Sequence, residues 1–106
     1  MYKIFLELDY DKLEREDRYD IEKIDKVLRE MFSEKGITKN SDGFYVGGTF
    51  EAFWAIILNL SKQNWFIDNL KTWKWYNSDG SKDPEDYAVE DLLAFYQNKK
   101  RKQMVG

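Results

Sequence analysis

Glu7 and Asp9 are the first residues whose types and spacing could do chemistry. They stand two apart in "YKIFLELDY", so on an extended chain both point to one face, with Cα atoms about 7 Å apart. Two such carboxylates, joined by their copies across a dimer axis, could hold a divalent ion against a phosphodiester. The ion would stabilise charge on phosphate oxygens and could generate hydroxide or activate a ribose 2′-OH. The plain alternative is a pair of strand-end acids that keep an open sheet face solvated. The chain has 0 His and 0 Cys, which excludes imidazole and thiolate catalysis, disulfides and Cys/His zinc sites. Acids, bases and ligands must come from Asp, Glu, Lys, Arg, Tyr, Ser or Thr. Any metal would be a hard ion in oxygen ligands, which favours Mg²⁺, Mn²⁺ or Ca²⁺.

Four other groups of residues invite a functional reading beside a structural one. Tyr45 follows the turn glycine Gly43 and could orient a phosphate through its hydroxyl, or be a half-buried strand tyrosine. Trp73 and Trp75 share a strand face and could stack nucleobases, or anchor packing. Lys99–Lys102 could touch RNA phosphates, or form a solvated terminal run. Gly47-Gly48-Thr49 before a helix could cradle phosphate on free N–H groups, although the lysine of a P-loop is missing.

The whole chain limits these options. At 106 residues it is one domain, and 42% hydrophobic with 17% aromatic residues supports a core despite 35% charged residues. The net charge is −3; without the cations Lys99, Lys100, Arg101 and Lys102 it is −7. An acidic body opposes generic nucleic-acid coating, though not transient, ion-assisted engagement of a strand. No apolar run approaches the ~20 residues of a membrane span, and the N-terminus does not resemble a signal peptide. The expectation is a soluble cytoplasmic protein.

These residues must be positioned by a small set of elements. In Tyr2–Leu8, Tyr2, Ile4, Leu6 and Leu8 alternate with Lys3, Phe5 and Glu7, the pattern of a strand covered on one face. "DKLEREDRYD" reads as a loop or a frayed turn. From Asp20, a suitable N-cap, Ile21, Ile24, Val27, Leu28, Met31 and Phe32 make a helical stripe that Gly36 closes. Ile37–Lys39 and Phe44–Val46 flank the turn Asn40–Gly43 as a hairpin. Residues 49–62 suit either a helix capped by Thr49 or a strand, with the helix favoured by Gly48-Thr49. "NWFIDN" reads as a turn. In "LKTWKWYN", Lys71, Trp73, Trp75 and Asn77 alternate with Leu70, Thr72, Lys74 and Tyr76. Asp83 and Pro84 suit the start of a last helix with Val89, Leu92, Leu93 and Tyr96 on its apolar face. The order is β-α-β-β-α-β plus a helix: an α+β, ferredoxin-like split βαβ sandwich with an extra C-terminal helix. The domain would span 1–98, with 99–106 a basic flexible tail.

Three short stretches carry a family resemblance: Gly36-Ile37 after the first helix, Gly43-Phe44-Tyr45 on the return strand of the hairpin, and Trp65-Phe66 after the second helix. With "MYKIFLEL", they make residues 1 to about 77 resemble the virulence-associated protein D (VapD) family of small ribonucleases. More remotely, the chain is similar to the small ferredoxin-like subunit of CRISPR adaptation complexes. The resemblance implies a homodimeric, metal-assisted endoribonuclease, plausibly the toxin of a toxin–antitoxin pair, with Mg²⁺ or Mn²⁺ as cofactor and RNA as substrate. The family ties cleavage to a first-strand aspartate; here Glu7 stands in its place, one methylene longer. The catalytic set expected on this basis is Glu7, Asp9 and Tyr45, with Glu7 and Asp9 as metal ligands. The rival expectation is a catalytically silent binding module for a partner protein, such as an antitoxin, an immunity protein or an adaptor. Dimerisation is expected through a sheet face bearing Phe5, Trp73 and Trp75. The C-terminal helix is expected beside the other helices, leaving Glu7 accessible.

Overall fold

A computed structural model describes residues 2–78 and 88–105, with side chains through Lys100. The first strand, β1 (Tyr2–Leu8), buries Ile4, Leu6 and Leu8 on one face. The next segment is helical rather than a loop: α1 (Tyr10–Glu16) forms because the Asp9 carboxylate accepts from the Lys12 N–H at 3.1 Å and Leu13 is buried. Asp17, at φ 48°, ends it. Helix α2 (Ile21–Glu34) is capped by Asp20, whose carboxylate accepts from the N–H groups of Glu22 and Lys23. It buries Ile24, Leu28 and Phe32, while Val27, at the margin of the stripe, stays exposed.

The hairpin of β2 (Thr38–Lys39) and β3 (Phe44–Val46) turns at Asn40–Gly43, with Gly43 at φ 88°. Residues 49–62 resolve as helix α3 (Phe50–Ser61), with the Thr49 hydroxyl accepting from the Ala52 N–H. "NWFID" forms a short helix, α4 (Asn64–Asp68), in place of the expected turn, because Phe66 and Ile67 bury together. Strand β4 (Leu70–Asn77) follows. Then comes an element absent from the sequence reading, β5 (Ala88–Asp91). Val89 sits on this strand opposite Tyr76 and is half-exposed, not on a helix stripe. Helix α5 (Leu92–Val105) begins one strand later than expected, with the Asp91 carboxylate accepting from the Ala94 N–H. The Asp83-Pro84 start lies outside the described residues. α5 also runs through Lys99 to Val105, where a flexible tail was expected.

The strands pair antiparallel in the order β2-β3-β1-β4-β5. The first four make the ferredoxin-like arrangement and β5 extends its β4 edge. Residues directly opposite on antiparallel strands share a face, so register decides what the core contains. Ile4 faces both Tyr45 and Trp75, and Leu6 faces Trp73. The two tryptophans therefore lie with the helices, at 0% and 3% exposure. This corrects their expected grouping with Phe5, which lies opposite Phe44 and Lys74. A bulge between Glu7 and Leu8 changes the phase, pairing Leu8 with Leu70. Leu70 is buried as a result, while Lys71 points to solvent.

The helices pack on that one face. Phe66 meets Trp73 edge-on at 5.1 Å, and Phe32 stacks on Tyr45 at 4.0 Å. α5 joins this layer: Leu92 and Leu93 are buried, Tyr96 stacks on Trp73 at 5.6 Å, and Lys100 pairs with Asp68 of α4 at 2.7 Å. The opposite sheet face, with Lys3, Phe5, Glu7, Thr72 and Tyr76, receives none of the described helices.

Candidate functional site

The alternation of β1 puts Glu7 on the face that none of the described helices covers, half-buried near the end of the strand. Thr72, directly opposite on β4, donates its hydroxyl to Glu7 Oε1 at 3.4 Å. Three aromatic rings share the face. Phe5 and Phe44 lie 5.3 Å apart, Phe44 and Tyr76 lie 5.4 Å apart, and the Lys3 ammonium sits 4.3 Å from the centre of the Phe44 ring.

Asp9 does not join Glu7 on a strand. The chain leaves the sheet after Leu8, the Asp9 N–H donates to the Asn69 carbonyl at 2.8 Å, and the Asp9 carboxylate serves as the cap of α1. The start of α1 divides two acids that a longer strand would have aligned. Tyr45 is on the other side of the sheet, 3% exposed, against Phe32. Burial, and secondarily the Asp25 charge, push its hydroxyl up to about 12, with Arg29 opposing the rise. It is a neutral core phenol. Of the three expected catalytic residues, one, Glu7, lies on the sheet face that none of the described helices covers.

Among the described residues, one protomer does not supply the full donor set of a Mg²⁺ or Mn²⁺ site. Such ions take about six oxygen ligands with carboxylates in front, and the described residues contain no group of three or more acids able to hold a metal. Glu7 and Thr72 supply two oxygens; the other ligands would come from water, from substrate or from a second copy.

The motif residues behind the resemblance do structural work. Phe66 is fully buried, and Trp65 donates its indole N–H to Gln63 Oε1 at 2.6 Å. Gly48 is small because a Cβ there would lie 2.8 Å from Ile37 Cδ1 and 3.2 Å from Phe53 Cε2. The Thr49 hydroxyl is taken by the α3 cap. Two features were missed from sequence. Thr72 as the partner of Glu7 follows from register alone. A groove between α2 and the hairpin, lined by Arg29 and Lys39, had one legible trace: Asn40 at the first position of a turn.

Comparison with protein-family models, with curated proteins and with solved structures finds no match for the chain. Among the described residues, no helix is long and apolar enough to cross a membrane.

Proposed function

We propose that the protein is a VapD-like endoribonuclease whose active site is completed by a second copy, with Glu7 as its catalytic carboxylate. One observation carries the reading: α5 packs on the helix layer, over Trp73, and leaves Glu7 on the face that none of the described helices covers. A helix across that face would have closed Glu7 to substrate. The half-buried rings of Phe5 and Phe44 provide an apolar patch for isologous pairing of two such faces. Trp73 and Trp75 play no part in it. A divalent ion bound between two Glu7 carboxylates would neutralise charge on the scissile phosphate. In the resting protein, Thr72 holds the Glu7 carboxylate at the strand end.

The test is cleavage of single-stranded RNA by wild type and Glu7→Gln, with Mg²⁺ or Mn²⁺ and with EDTA. Sedimentation reports the oligomer in parallel. Expected are a dimer, ion-dependent cleavage and a sharp loss in Glu7→Gln with folding intact. Cleavage that persists in EDTA, or is untouched by Glu7→Gln, removes the site; a monomer at high micromolar concentration removes the shared one.

The second reading is a silent binding module that presents the same face to a partner protein. The capping role of Asp9 favours it, because the second expected metal ligand is already engaged. Absence of ion-dependent cleavage in a well-folded dimer would select this reading.

A further inference from the structure

The helix layer carries a concave region across the sheet from Glu7. The C-terminal half of α2 and the β2–β3 hairpin border a groove of about 510 Å³. Arg29 and Ser33, about one helical turn apart, form one wall. Lys39, Asn40 and Ser41 form the other, and Tyr45 lies at the base. The chain has 20 Asp and Glu against 17 Lys and Arg, yet no carboxylate lines this groove. Neither Arg29 nor Lys39 takes part in an ion pair among the described residues.

The polar groups here are set up to donate. Asn40 Oδ1 accepts from the N–H groups of Asp42 and Phe44, both at 3.0 Å. Only the amide oxygen can accept, so these two bonds orient the side chain and leave its NH₂ group for a partner outside the turn. The Tyr45 phenol is protonated at neutral pH, as any tyrosine is, and burial raises its pKa further, so it too can donate. The Lys39 ammonium stands 5.7 Å from the centre of the Tyr45 ring. Asp25, one turn before Arg29 on α2, adds through its charge to the burial that raises the pKa of both Tyr10 and Tyr45, but does not line the groove.

We propose that this groove binds a phosphate group carried by a nucleotide or by a nucleic-acid strand. The planar guanidinium of Arg29 suits two phosphate oxygens at once, and the Lys39 ammonium neutralises charge from the facing wall. Asn40 and the hydroxyls of Ser33 and Ser41 supply neutral donors around the remaining oxygens. The volume falls within the range of about 300–1,000 Å³ common to small-ligand sites. Because the groove and Glu7 lie on opposite sides of the sheet, the proposal stands apart from the ribonuclease reading.

The test is titration of the full-length protein with inorganic phosphate, with adenosine 5′-monophosphate and with a short single-stranded RNA, followed by backbone amide NMR. Chloride at matched ionic strength is the control. Expected are saturable shifts at Ser33 and Lys39–Gly43. Arg29→Gln and Lys39→Gln should each weaken binding roughly tenfold or more, with the ligand-free melting temperature unchanged because both side chains are exposed. Tighter binding of RNA than of the mononucleotide assigns the phosphate to a strand; equal binding of mononucleotide and phosphate assigns it to a free ligand. Shifts reproduced by chloride, shifts that survive in the double variant, or no shifts would overturn the proposal.

Discussion

Tyr45→Phe separates a core ring from a reacting group. Tyr45 is 3% exposed, lies opposite Ile4 and stacks on Phe32 with ring centres 4.0 Å apart. Phenylalanine keeps that stacking and removes the titrating hydroxyl. Burial raises this group from 10.0 to about 12 in the folded chain. The unfolded chain therefore gives up the proton first as pH rises. The contribution to stability is fully present below about pH 10 and is lost progressively as pH climbs toward 12. Two pKa units correspond to a limit of about 2.7 kcal/mol, of which roughly 2 kcal/mol should be gone by about pH 11.5. The assay is urea unfolding of wild type and Tyr45→Phe at about pH 8 and about pH 11.5. Wild type should lose roughly 2 kcal/mol more than the variant over this interval. Lysines and the other tyrosines, Tyr10 with its raised pKa included, titrate in both proteins and largely cancel. Parallel losses would show that Tyr45 ionises as freely when folded as when unfolded, and the assignment to the core would fail.

Three further outcomes follow from the packing. Asp9→Ala should lower stability by about 1 kcal/mol through the lost α1 cap while Asp9→Asn changes it by a few tenths; equal losses by chemical denaturation would contradict a capping role. Gly48→Ala should cost about 1–3 kcal/mol, because its Cβ would collide with Ile37 and crowd Phe53; an unchanged melting temperature would refute that contact. Ending the chain before Leu92 uncovers Trp73 and removes two buried leucines, which should cost at least about 3 kcal/mol. The truncation should not create RNA cleavage, since α5 does not lie over the Glu7 face, and a stable, newly active product would show that α5 is an inhibitory cover.

Much of the local structure was legible because its causes are local. Asp20 and Thr49 each cap a helix with their own side chains, and Gly43 takes the positive φ of the hairpin turn, so residue type was enough. The absence of His and Cys bounded the chemistry without any structure. Alternation in β1 and β4 sorted their side chains onto two faces, and for β1 the all-apolar face named the buried one. For β4 it could not: Trp73 and Trp75 share one set with Lys71, and Leu70 shares the other with Lys74. Only pairing with β1, some 65 residues away in the chain, placed the tryptophans beneath the helices, and only the bulge at Glu7/Leu8 turned Leu70 inward. β5 was illegible because its exposed residues, Ala88–Asp91, bury little and are held by backbone hydrogen bonds to the β4 edge. A period-two pattern separates faces, but which face becomes the core is set by hydrogen-bond register between distant strands, and that register exists only in the folded sheet.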